Sequence, residues 1–392
     1  MAGDSKVIWN PYTPGYFQNP YPHLAECRET NPIHRGVHGS WVFFRYKDIS
    51  ELLRSDKLDA SVLSDYFAER EEYIFKNTNT CPYLAKSTKQ WPMYLNGLEH
   101  KQVRLAMGKA FNQIPLEKVI IKAVEICNEA FKNADKFDLG NYCAQFIFLV
   151  IKDLFGLKNY ENLDKIRHYS NSLAKSQDVF IPKQVYAAIN EQFLWGASIF
   201  SDSKYKSIVK DQFKGKLTDD EIYSIMSISF MAAFETSKDS LSIALIELLK
   251  NKELIDGVLN NSEQELNKTI EELLRFSSPL QYTIRVTKET LEVDNVLIEK
   301  NSKLFLCLAS ANRDPRIFGN ANSIILNRDP NPHLAFGGGV HFCLGSAIAR
   351  QEMRLCLKPM LNFLKTYNVN PDISWNRQVF MRTPQNVQLV KQ

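Results

Sequence analysis

A single cysteine, set in a glycine-rich stretch that runs into an amphipathic segment, constrains this chain more than any other feature. Residues 336–345 read FGGGVHFCLG, and residues 346–354 continue as SAIARQEMR. A cysteine just before a helix faces free backbone N–H groups and the positive end of the helix dipole, which favour thiolate over thiol. Glycines let the backbone approach a large planar ligand. The sequence therefore predicts a loop that holds Cys343 as a thiolate in front of a flat cofactor.

The pattern Phe-Gly-x-Gly-x-His-x-Cys-x-Gly is complete in this stretch, and it resembles the haem-ligand loop of cytochrome P450. The resemblance implies that Cys343 is the axial ligand of a haem b iron, because cysteine thiolate is one of the few protein groups that bind haem iron in this way. It also implies that Phe336, Gly337 and Gly345 shape the loop around the cofactor. The alternative is a buried structural cysteine beside a turn, which is usual for intracellular cysteines.

Composition sets broad limits on fold and function. Hydrophobic residues make up 44% and charged residues 23% of the 392 residues, as in an ordinary soluble globular protein. The net charge of +4 is too mild to favour nucleic acid binding. The cysteines are odd in number and form no C-x-x-C pair, which argues against a disulfide framework and a zinc site. Since no uncharged apolar run approaches the roughly 20 residues that span a bilayer and the N-terminus is unlike a signal peptide, we predict a cytoplasmic protein without a membrane anchor.

The pattern along the chain favours one continuous unit. It contains no internal repeat, low-complexity tract or Gly/Ser linker, so we predict a single domain over residues 1–392. Helical periodicity dominates the middle, whereas residues 39–46, 286–308 and 378–390 are strand-like. We therefore predict a mainly α fold with a small β-rich part (α+β). The resemblance implies that haem lies between a long distal helix and the helix after the cysteine loop.

Two capping boxes mark helix starts. Thr218 and Glu221 form the first, and the apolar pattern then continues to about Lys250, which predicts a helix roughly 48 Å long at about 1.5 Å per residue. The second is formed by residues 262–265, and it opens a helix that we expect to end near Phe276, ahead of Pro279.

Within the long helix, residues 232–237 read AAFETS and resemble the oxygen-activating segment of the same family. The resemblance implies that Thr236 lies on the face of the haem opposite Cys343, where its hydroxyl can bond to the backbone carbonyl four residues earlier and loosen the helix. Glu235 would relay protons from solvent. Ala233 stands where the family usually has glycine. Its methyl group narrows the space beside the helix into which O2 or substrate fits. The alternative for Glu235 and Thr236 is a solvated turn of a surface helix.

A second helix motif has a structural meaning. Glu272 and Arg275 match the Glu-x-x-Arg of the family, and the resemblance adds Arg328 as the third member of a buried network. A planar guanidinium can serve a carboxylate and backbone carbonyls together. Alone, an i,i+3 acid–base pair is commonplace on helix surfaces.

Haem carries two propionates, and buried anions require donors. The family's positions for these donors hold His100, Arg104, Arg285 and His341. The i,i+4 spacing of the first two places them on one helix face. Each could instead be an ordinary surface residue.

The substrate pocket is the least defined part of the prediction. Family positions place the pocket on residues that are mostly aromatic or aliphatic, a composition that describes a core equally well. They are Phe180, Phe230, Phe234, Leu280, Tyr282, Phe380 and Met381.

The resemblance implies a haem-thiolate monooxygenase, which inserts one atom of O2 into a C–H bond of a small molecule, with hydroxylation or oxidative O-demethylation as the outcome. A peroxide-driven peroxygenase and a non-catalytic haem sensor are the alternatives. Soluble relatives take fatty acids, terpenoids, macrolides and methylated sugars, and the motifs do not distinguish between these classes.

Electrons must come from outside the chain. The sequence has no Rossmann fingerprint and no C-x₄-C-x₂-C iron–sulfur pattern. We therefore expect NAD(P)H to supply electrons through a ferredoxin or flavodoxin and its reductase. We also expect the protein to be a monomer. An acidic partner would dock where Arg350, Arg354 and Lys358 supply positive charge.

Overall fold

Helices dominate the described part of the chain. The computed structural model describes residues 6–36, 39–67, 69, 82–157, 162–179, 181–201 and 203–392. Its α-helices are α1 Tyr21–Thr30, α2 Tyr46–Leu52, α3 Pro82–Thr88, α4 Gly97–Phe111, α5 Leu116–Phe131, α6 Leu139–Leu154, α7 Leu163–Lys175, α8 Lys183–Phe200, α9 Lys204–Gln212, α10 Asp219–Leu249, α11 Lys252–Asn260, α12 Glu263–Ser277, α13 Leu308–Ala311 and α14 Ser346–Leu364. Short 3-10 turns lie at Pro92–Tyr94 and Gly339–His341.

The strands are short and form small sheets. They are β1 Ile33–Arg35, β2 Trp41–Phe43, β3 Leu58–Asp59, β4 Lys136–Asp138, β5 Thr283–Thr287, β6 Leu291–Val293, β7 Val296–Ile298, β8 Lys303–Leu306, β9 Tyr367–Val369, β10 Ser374–Trp375, β11 Pro384–Gln385 and β12 Gln388–Lys391. The largest sheet has the order β1-β2-β8-β5-β3, and a second has the order β4-β12-β9. Strands β2 and β8 are parallel, with Trp41 opposite Leu304, and the neighbouring pairs are antiparallel.

The predicted fold class is therefore confirmed: the molecule is mainly α with a small β-rich part. The predicted strand regions near residues 286–308 and 378–390 contain β5 to β8 and β11 to β12. Within the described ranges, no helix combines the length and the apolar character needed to cross a bilayer.

Helix α10 forms the centre of the helical part. Its capping box is present, since the Thr218 hydroxyl accepts from the Glu221 N–H and the Glu221 carboxylate accepts from the Thr218 N–H. The helix ends at Leu249, as predicted, and packs against α6, α7, α8 and α12. Because neighbours surround it, the charged side chains in its middle, Glu235, Lys238 and Asp239, are placed inside the protein rather than in solvent.

The second capping box also forms, with Ser262 as the N-cap of α12. This helix ends at Ser277, and Ser278 adopts a left-handed conformation (φ +33°) just before Pro279. The end of α12 therefore lies within one residue of the predicted position.

Candidate cofactor and active site

The cysteine loop is shaped by glycines in left-handed conformations. Gly337 and Gly339 have φ values of +67° and +65°. A side chain on Gly339 would bring its Cβ to 2.2 Å from the Leu53 carbonyl oxygen, so this position requires glycine. The Cys343 N–H donates to the Phe336 carbonyl at 3.0 Å and closes the loop. The sulfur is thereby held at the start of α14.

The environment of Cys343 combines opposing effects on its thiol. Although the side chain has accessible surface, burial among protein atoms raises the pKa of the Cys343 thiol. The backbone N–H groups of Gly345 and Ser346 and the positive charges of Arg104 and Arg350 act in the opposite direction but do not outweigh it. The helix start therefore does not by itself bring the pKa of Cys343 below its ordinary value. A metal ion that binds the sulfur would deprotonate it outright.

A strip of small side chains interrupts the buried surface of α10. Ala232 is exposed and Ala233 and Thr236 are partly exposed, whereas the intervening Phe234 and the preceding Met231 are buried. The Thr236 hydroxyl donates to the Ala232 carbonyl at 2.5 Å, the backbone contact proposed from the sequence. The helix nevertheless continues without a break, so the expected loosening is absent at the level of secondary structure.

Glu235 lies on another face of α10 and is 1% exposed, so a solvated surface turn is excluded for it. Its Oε2 atom is 2.5 Å from Lys238 Nζ, which also lies 3.4 Å from Asp239 Oδ1. The Thr383 hydroxyl donates to Asp239 Oδ2 at 2.6 Å. Burial raises the pKa of Asp239 to about 7, against the lowering effect of Lys238.

The four predicted propionate donors lie on three elements that converge. His100 and Arg104 lie on α4, Arg285 on β5 and His341 in the cysteine loop. The rings of His100 and His341 have centroids 4.4 Å apart. Arg285 is 8% exposed and donates to Thr283 Oγ1 at 3.1 Å and to a backbone carbonyl at 2.7 Å. Within the described residues, none of these four side chains forms an ion pair with a carboxylate.

Mutual repulsion and burial shift the titration of this cluster. Burial lowers the pKa of Arg285 to about 10. Burial, with the positive charge of Arg285, His100 and Arg104, lowers the pKa of His341 to about 3, and Asp59 opposes this weakly. His100 and Arg285 are buried, and Arg104 and His341 are partly buried. A set of cationic and N–H donors that forms no ion pair among the described residues fits an anionic group, because buried charges are stable only when paired. The two propionates of haem have this chemistry.

Glu272 of α12 is the centre of a buried network. It accepts from Arg275, from Arg328 Nε at 2.8 Å, from the Asn331 amide at 3.2 Å and from the Ile325 N–H at 2.9 Å. Burial alone would raise the pKa of Glu272, but the guanidinium groups hold it below its ordinary value. The structure thus brings the three predicted network members together.

The three cations expected to attract a redox partner each contact another group of the protein. They are Arg350, Arg354 and Lys358. Arg350 donates to both Glu271 oxygens, at 2.7 and 2.9 Å, and its guanidinium lies over the Phe336 ring at 4.6 Å. Arg354 lies 3.8 Å from a glutamate of α12, and Lys358 Nζ donates to a backbone carbonyl at 2.5 Å. The charges of Arg350 and Arg354 are therefore partly neutralised, whereas Lys358 keeps its charge. Arg350 also serves to hold the cysteine loop.

The aromatic pocket candidates on α10 belong to the core. Phe230 and Phe234 are fully buried and stacked, with ring centroids 6.2 Å apart. Phe230 also packs edge-on against Phe155 at 5.3 Å. Phe180 lies outside the described residues. As placed, neither α10 aromatic offers surface to a ligand.

The remaining pocket candidates join the C-terminal segment to the strand region. Leu280 pairs with Met381 in an isolated bridge, and Tyr282 packs edge-on against Phe380 at 5.6 Å. The Tyr282 hydroxyl donates to the Gln177 carbonyl at 3.4 Å. Of these candidates, Leu280 is partly exposed and the other three are buried.

Sequence reasoning missed Lys238, Asp239 and Thr383. The spacing of the first two from Glu235, three and four residues along a helix, could have placed all three on one face. Thr383 lies 144 residues from Asp239 and carries no such signal.

The chain is similar to known cytochromes P450. A family model described as Cytochrome P450 matches residues 104–390. The polyketide biosynthesis cytochrome P450 PksS of Bacillus subtilis (strain 168) is 26% identical, over 96% of this chain and 97% of that protein. The biotin biosynthesis cytochrome P450 of the same organism is 25% identical, over 92% of each chain.

One solved structure shows the likeness in three dimensions. It is the crystal structure of P450BioI in complex with a hexadec-9Z-enoic acid ligated acyl carrier protein, with a TM-score of 0.83 at 23% identity. The match covers 96% of this chain and 99% of that one, so the fold is shared over nearly the whole length.

Proposed function

The chain belongs to the cytochrome P450 family of haem-dependent monooxygenases, and we propose that it inserts one atom of O2 into a C–H bond of a small apolar molecule, with electrons from a separate redox protein. The observation that carries the proposal is the pairing of an accessible cysteine at a helix start with a partly buried basic cluster that forms no ion pair with a carboxylate among the described residues. The cysteine matches a cofactor that is bound through a thiolate, and the basic cluster matches the propionate groups of that cofactor.

We assign haem b binding to residues of both faces. Cys343 would bind the iron, with Phe336, Gly337 and Gly345 setting the loop, and Ala233 would face the porphyrin from α10. The propionates would be held by the basic cluster on three elements, which is His100, Arg104, Arg285 and His341. Bound haem supplies the activation of O2, chemistry that no side chain can perform.

Thr236 and Glu235 are the proposed proton-delivery residues. Thr236 lies on the accessible strip of α10, where its hydroxyl can donate to a ligand once its bond to Ala232 is exchanged. Glu235 precedes it in the chain and is buried, so a proton that Glu235 passes to Thr236 would come from a site shielded from bulk water. Positioned proton donors of this kind typically contribute about 10²- to 10⁴-fold.

Two alternatives to the monooxygenase, a peroxygenase and a haem sensor, differ from it in the residues and the electron source that they need. A peroxide-driven peroxygenase does not need an acid–alcohol pair, and Glu235 and Thr236 are both present here. A haem sensor would consume no NADPH. Electrons in the monooxygenase would come from NAD(P)H through a ferredoxin or flavodoxin and its reductase, because the chain has no reductase motif.

The substrate that we propose is an acyl or polyketide chain, free or attached to a carrier protein. Relatives named for polyketide and biotin biosynthesis, and a structural relative bound to an acylated carrier protein, support this choice over terpenoids and sugars. A screen of fatty acids, acylated carrier protein and macrolides, followed by the Soret shift of the haem, tests it. A shift with a terpenoid alone would contradict the proposal.

The proposed function is tested by a substitution that removes the hydroxyl group of Thr236. With a surrogate ferredoxin system, Thr236→Ala should consume NADPH but release hydrogen peroxide in place of oxidised product. Ser242→Ala is the matched control, because Ser242 makes the same bond to a carbonyl four residues earlier on a different face. Product formation by hydrogen peroxide alone, at the rate seen with NADPH, would favour the peroxygenase instead.

A further inference from the structure

Three charged side chains of α10 form a buried cluster beside the accessible strip. Glu235, Lys238 and Asp239 lie on one helix face and are each less than 9% exposed. The Lys238 ammonium contacts both acids, at 2.5 Å from Glu235 Oε2 and 3.4 Å from Asp239 Oδ1. A lysine is rarely buried without partners, and here the two carboxylates supply them.

The cluster has more acid than base. Around it lie the Arg167 guanidinium of α7, the Cys143 thiol of α6 and the Thr383 hydroxyl of the C-terminal segment. Glu235 Oε1 is buried and has no hydrogen-bond donor among the described residues, and Asp239 Oδ1 is buried with only the Lys238 ammonium, at 3.4 Å, as its partner. A buried carboxylate oxygen without a close donor is a place where a proton or a water is stabilised.

Lys238 divides its charge unequally. Its ammonium is almost an ångström nearer to Glu235 than to Asp239, and the other Asp239 oxygen has only the neutral hydroxyl of Thr383 as donor. Asp239 is therefore the less closely paired of the two acids, in accord with the rise in its pKa. Glu235 stays fixed by the closer ion pair, with Oε1 free to accept.

The cluster also has a connection to the surface. Arg167 acts on Lys238 and at the same time lines an open groove of about 600 Å³. Asn141, which accepts from Arg167 at 2.5 Å, and Gln145 of α6 line the same groove. Solvent therefore reaches Arg167, the groove residue whose charge acts on Lys238.

We propose that Lys238 is a positioning residue for proton delivery, which holds Glu235 and Asp239 against one ammonium so that Asp239 supplies the proton that Glu235 passes toward Thr236. The step is a proton transfer: the Asp239 carboxyl group becomes a carboxylate, the Glu235 carboxylate becomes a carboxyl group, and Asp239 regains a proton from solvent through the groove. The inference rests on the proposed monooxygenase function, and it adds two residues to the acid–alcohol pair.

The competing explanation is a structural ion cluster with no part in proton delivery. Both explanations predict loss of stability when Lys238 is removed, because a buried charge is left unpaired. Only a role in proton delivery predicts that the variants divert NADPH electrons to hydrogen peroxide. Only that role predicts that product formation follows the titration of Asp239. The test therefore compares Lys238→Met, Lys238→Arg and Asp239→Asn in the haem-loaded protein.

The control is Lys250→Met, because Lys250 pairs with Glu247 at the same i,i+3 spacing on the exposed end of α10. We expect Lys238→Met to raise the fraction of NADPH that ends as hydrogen peroxide roughly tenfold, below the usual contribution of a positioned proton donor. Coupling is the fraction of consumed NADPH that yields oxidised product. Lys238→Arg should restore coupling, and Lys250→Met should leave it unchanged. The infrared carboxyl absorption that titrates near neutral pH should have a component that is lost in Asp239→Asn and kept in Glu352→Gln, because buried Glu352 also titrates in this range.

Coupling in the parent protein should fall as the pH rises through the titration of Asp239, since the donor is the protonated form, and Asp239→Asn should remove this dependence. Unchanged coupling and pH profile in both Lys238→Met and Asp239→Asn would overturn the inference. If Lys238→Met does not fold, the pH profile and infrared band of Asp239→Asn decide alone. A reduced parent protein without the carbon monoxide band of thiolate ligation would instead refute the proposed function, so the two failures are distinguishable.

Discussion

The Arg275 guanidinium donates from Nε and Nη2 to the two carboxylate oxygens of Glu272, at 2.7 and 2.8 Å, and neither side chain has accessible surface. Its other donors reach the carbonyls of Asn312, Ala321 and Ser323, which belong to the long segment ahead of the cysteine loop. One ion pair thus fixes a segment that has little secondary structure of its own.

Removing this charge should destabilise the whole protein. Glu272→Gln leaves two buried guanidinium groups without a counter-charge, and we expect a loss of about 3–5 kcal/mol in the free energy of unfolding, measured in urea. Lys268→Met is the control, because Lys268 pairs with Asp329 on the surface and such pairs contribute at most about 1 kcal/mol. Equal losses for the two variants would contradict a structural role for the buried network.

Loss of a basic side chain from the propionate cluster should weaken haem binding. We expect Arg285→Leu to release haem to an acceptor protein roughly 10- to 100-fold more readily, in line with about 1.5–3 kcal/mol for a hydrogen bond to a charged group. Lys288→Leu, an exposed cation next to the same strand, should retain haem like the parent. Unchanged retention in Arg285→Leu would remove Arg285 from the cofactor site.

The conformation of Gly339 gives a second test of the cysteine loop. Gly339→Ala requires a left-handed alanine and a clash with the Leu53 carbonyl, so we expect a loss of roughly 2 kcal/mol or more in unfolding free energy, together with lost haem. Gly319→Ala, where an added Cβ meets nothing within 4 Å, should be tolerated. A stable, haem-loaded Gly339→Ala protein would show that the loop is built differently.

Stability should depend on pH through a second buried acid, Glu352 of α14, which accepts from Ser237 at 2.7 Å. Burial raises its pKa from 4.5 to about 7, so between these values the folded protein holds a proton that the unfolded chain has lost. Stability from this group is therefore complete at pH below about 4.5 and falls as the pH rises to about 7, by at most about 1.4 kcal/mol per pH unit.

The measurement is urea unfolding at pH 5 and pH 7 for the parent and Glu352→Gln. The variant should lose less stability over this interval than the parent, because its amide does not titrate. Glu125→Gln, at an exposed position of α5, should follow the parent. A parallel pH dependence in the parent and Glu352→Gln would show that Glu352 keeps an ordinary pKa.

Local features of the site were predictable from sequence because they depend on neighbours in the chain. The capping boxes at Thr218 and Ser262, the bond from Thr236 to the preceding turn and the left-handed glycines of the cysteine loop are of this kind. The convergence of the basic cluster followed from family positions rather than from any pattern in the residues themselves.

Features set by tertiary packing were not predictable. Glu271 neutralises Arg350 from another helix, and Phe230 is taken up by the core instead of the pocket. Cys343 was expected to favour the thiolate because the helix start is visible in sequence, whereas the burial that outweighs it depends on the whole fold. The same is true of Thr383, whose partner Asp239 is remote in the chain.

Ligation of haem iron by the Cys343 thiolate is seen in the carbon monoxide spectrum of the reduced protein. We expect an absorption band at the position diagnostic of thiolate ligation in the parent and in Cys356→Ser, a buried cysteine of the following helix. Cys343→Ser, with haem bound, should lack that band. A Cys343→Ser protein that retains the band, or a parent protein that binds haem without it, would show that Cys343 is not the thiolate ligand.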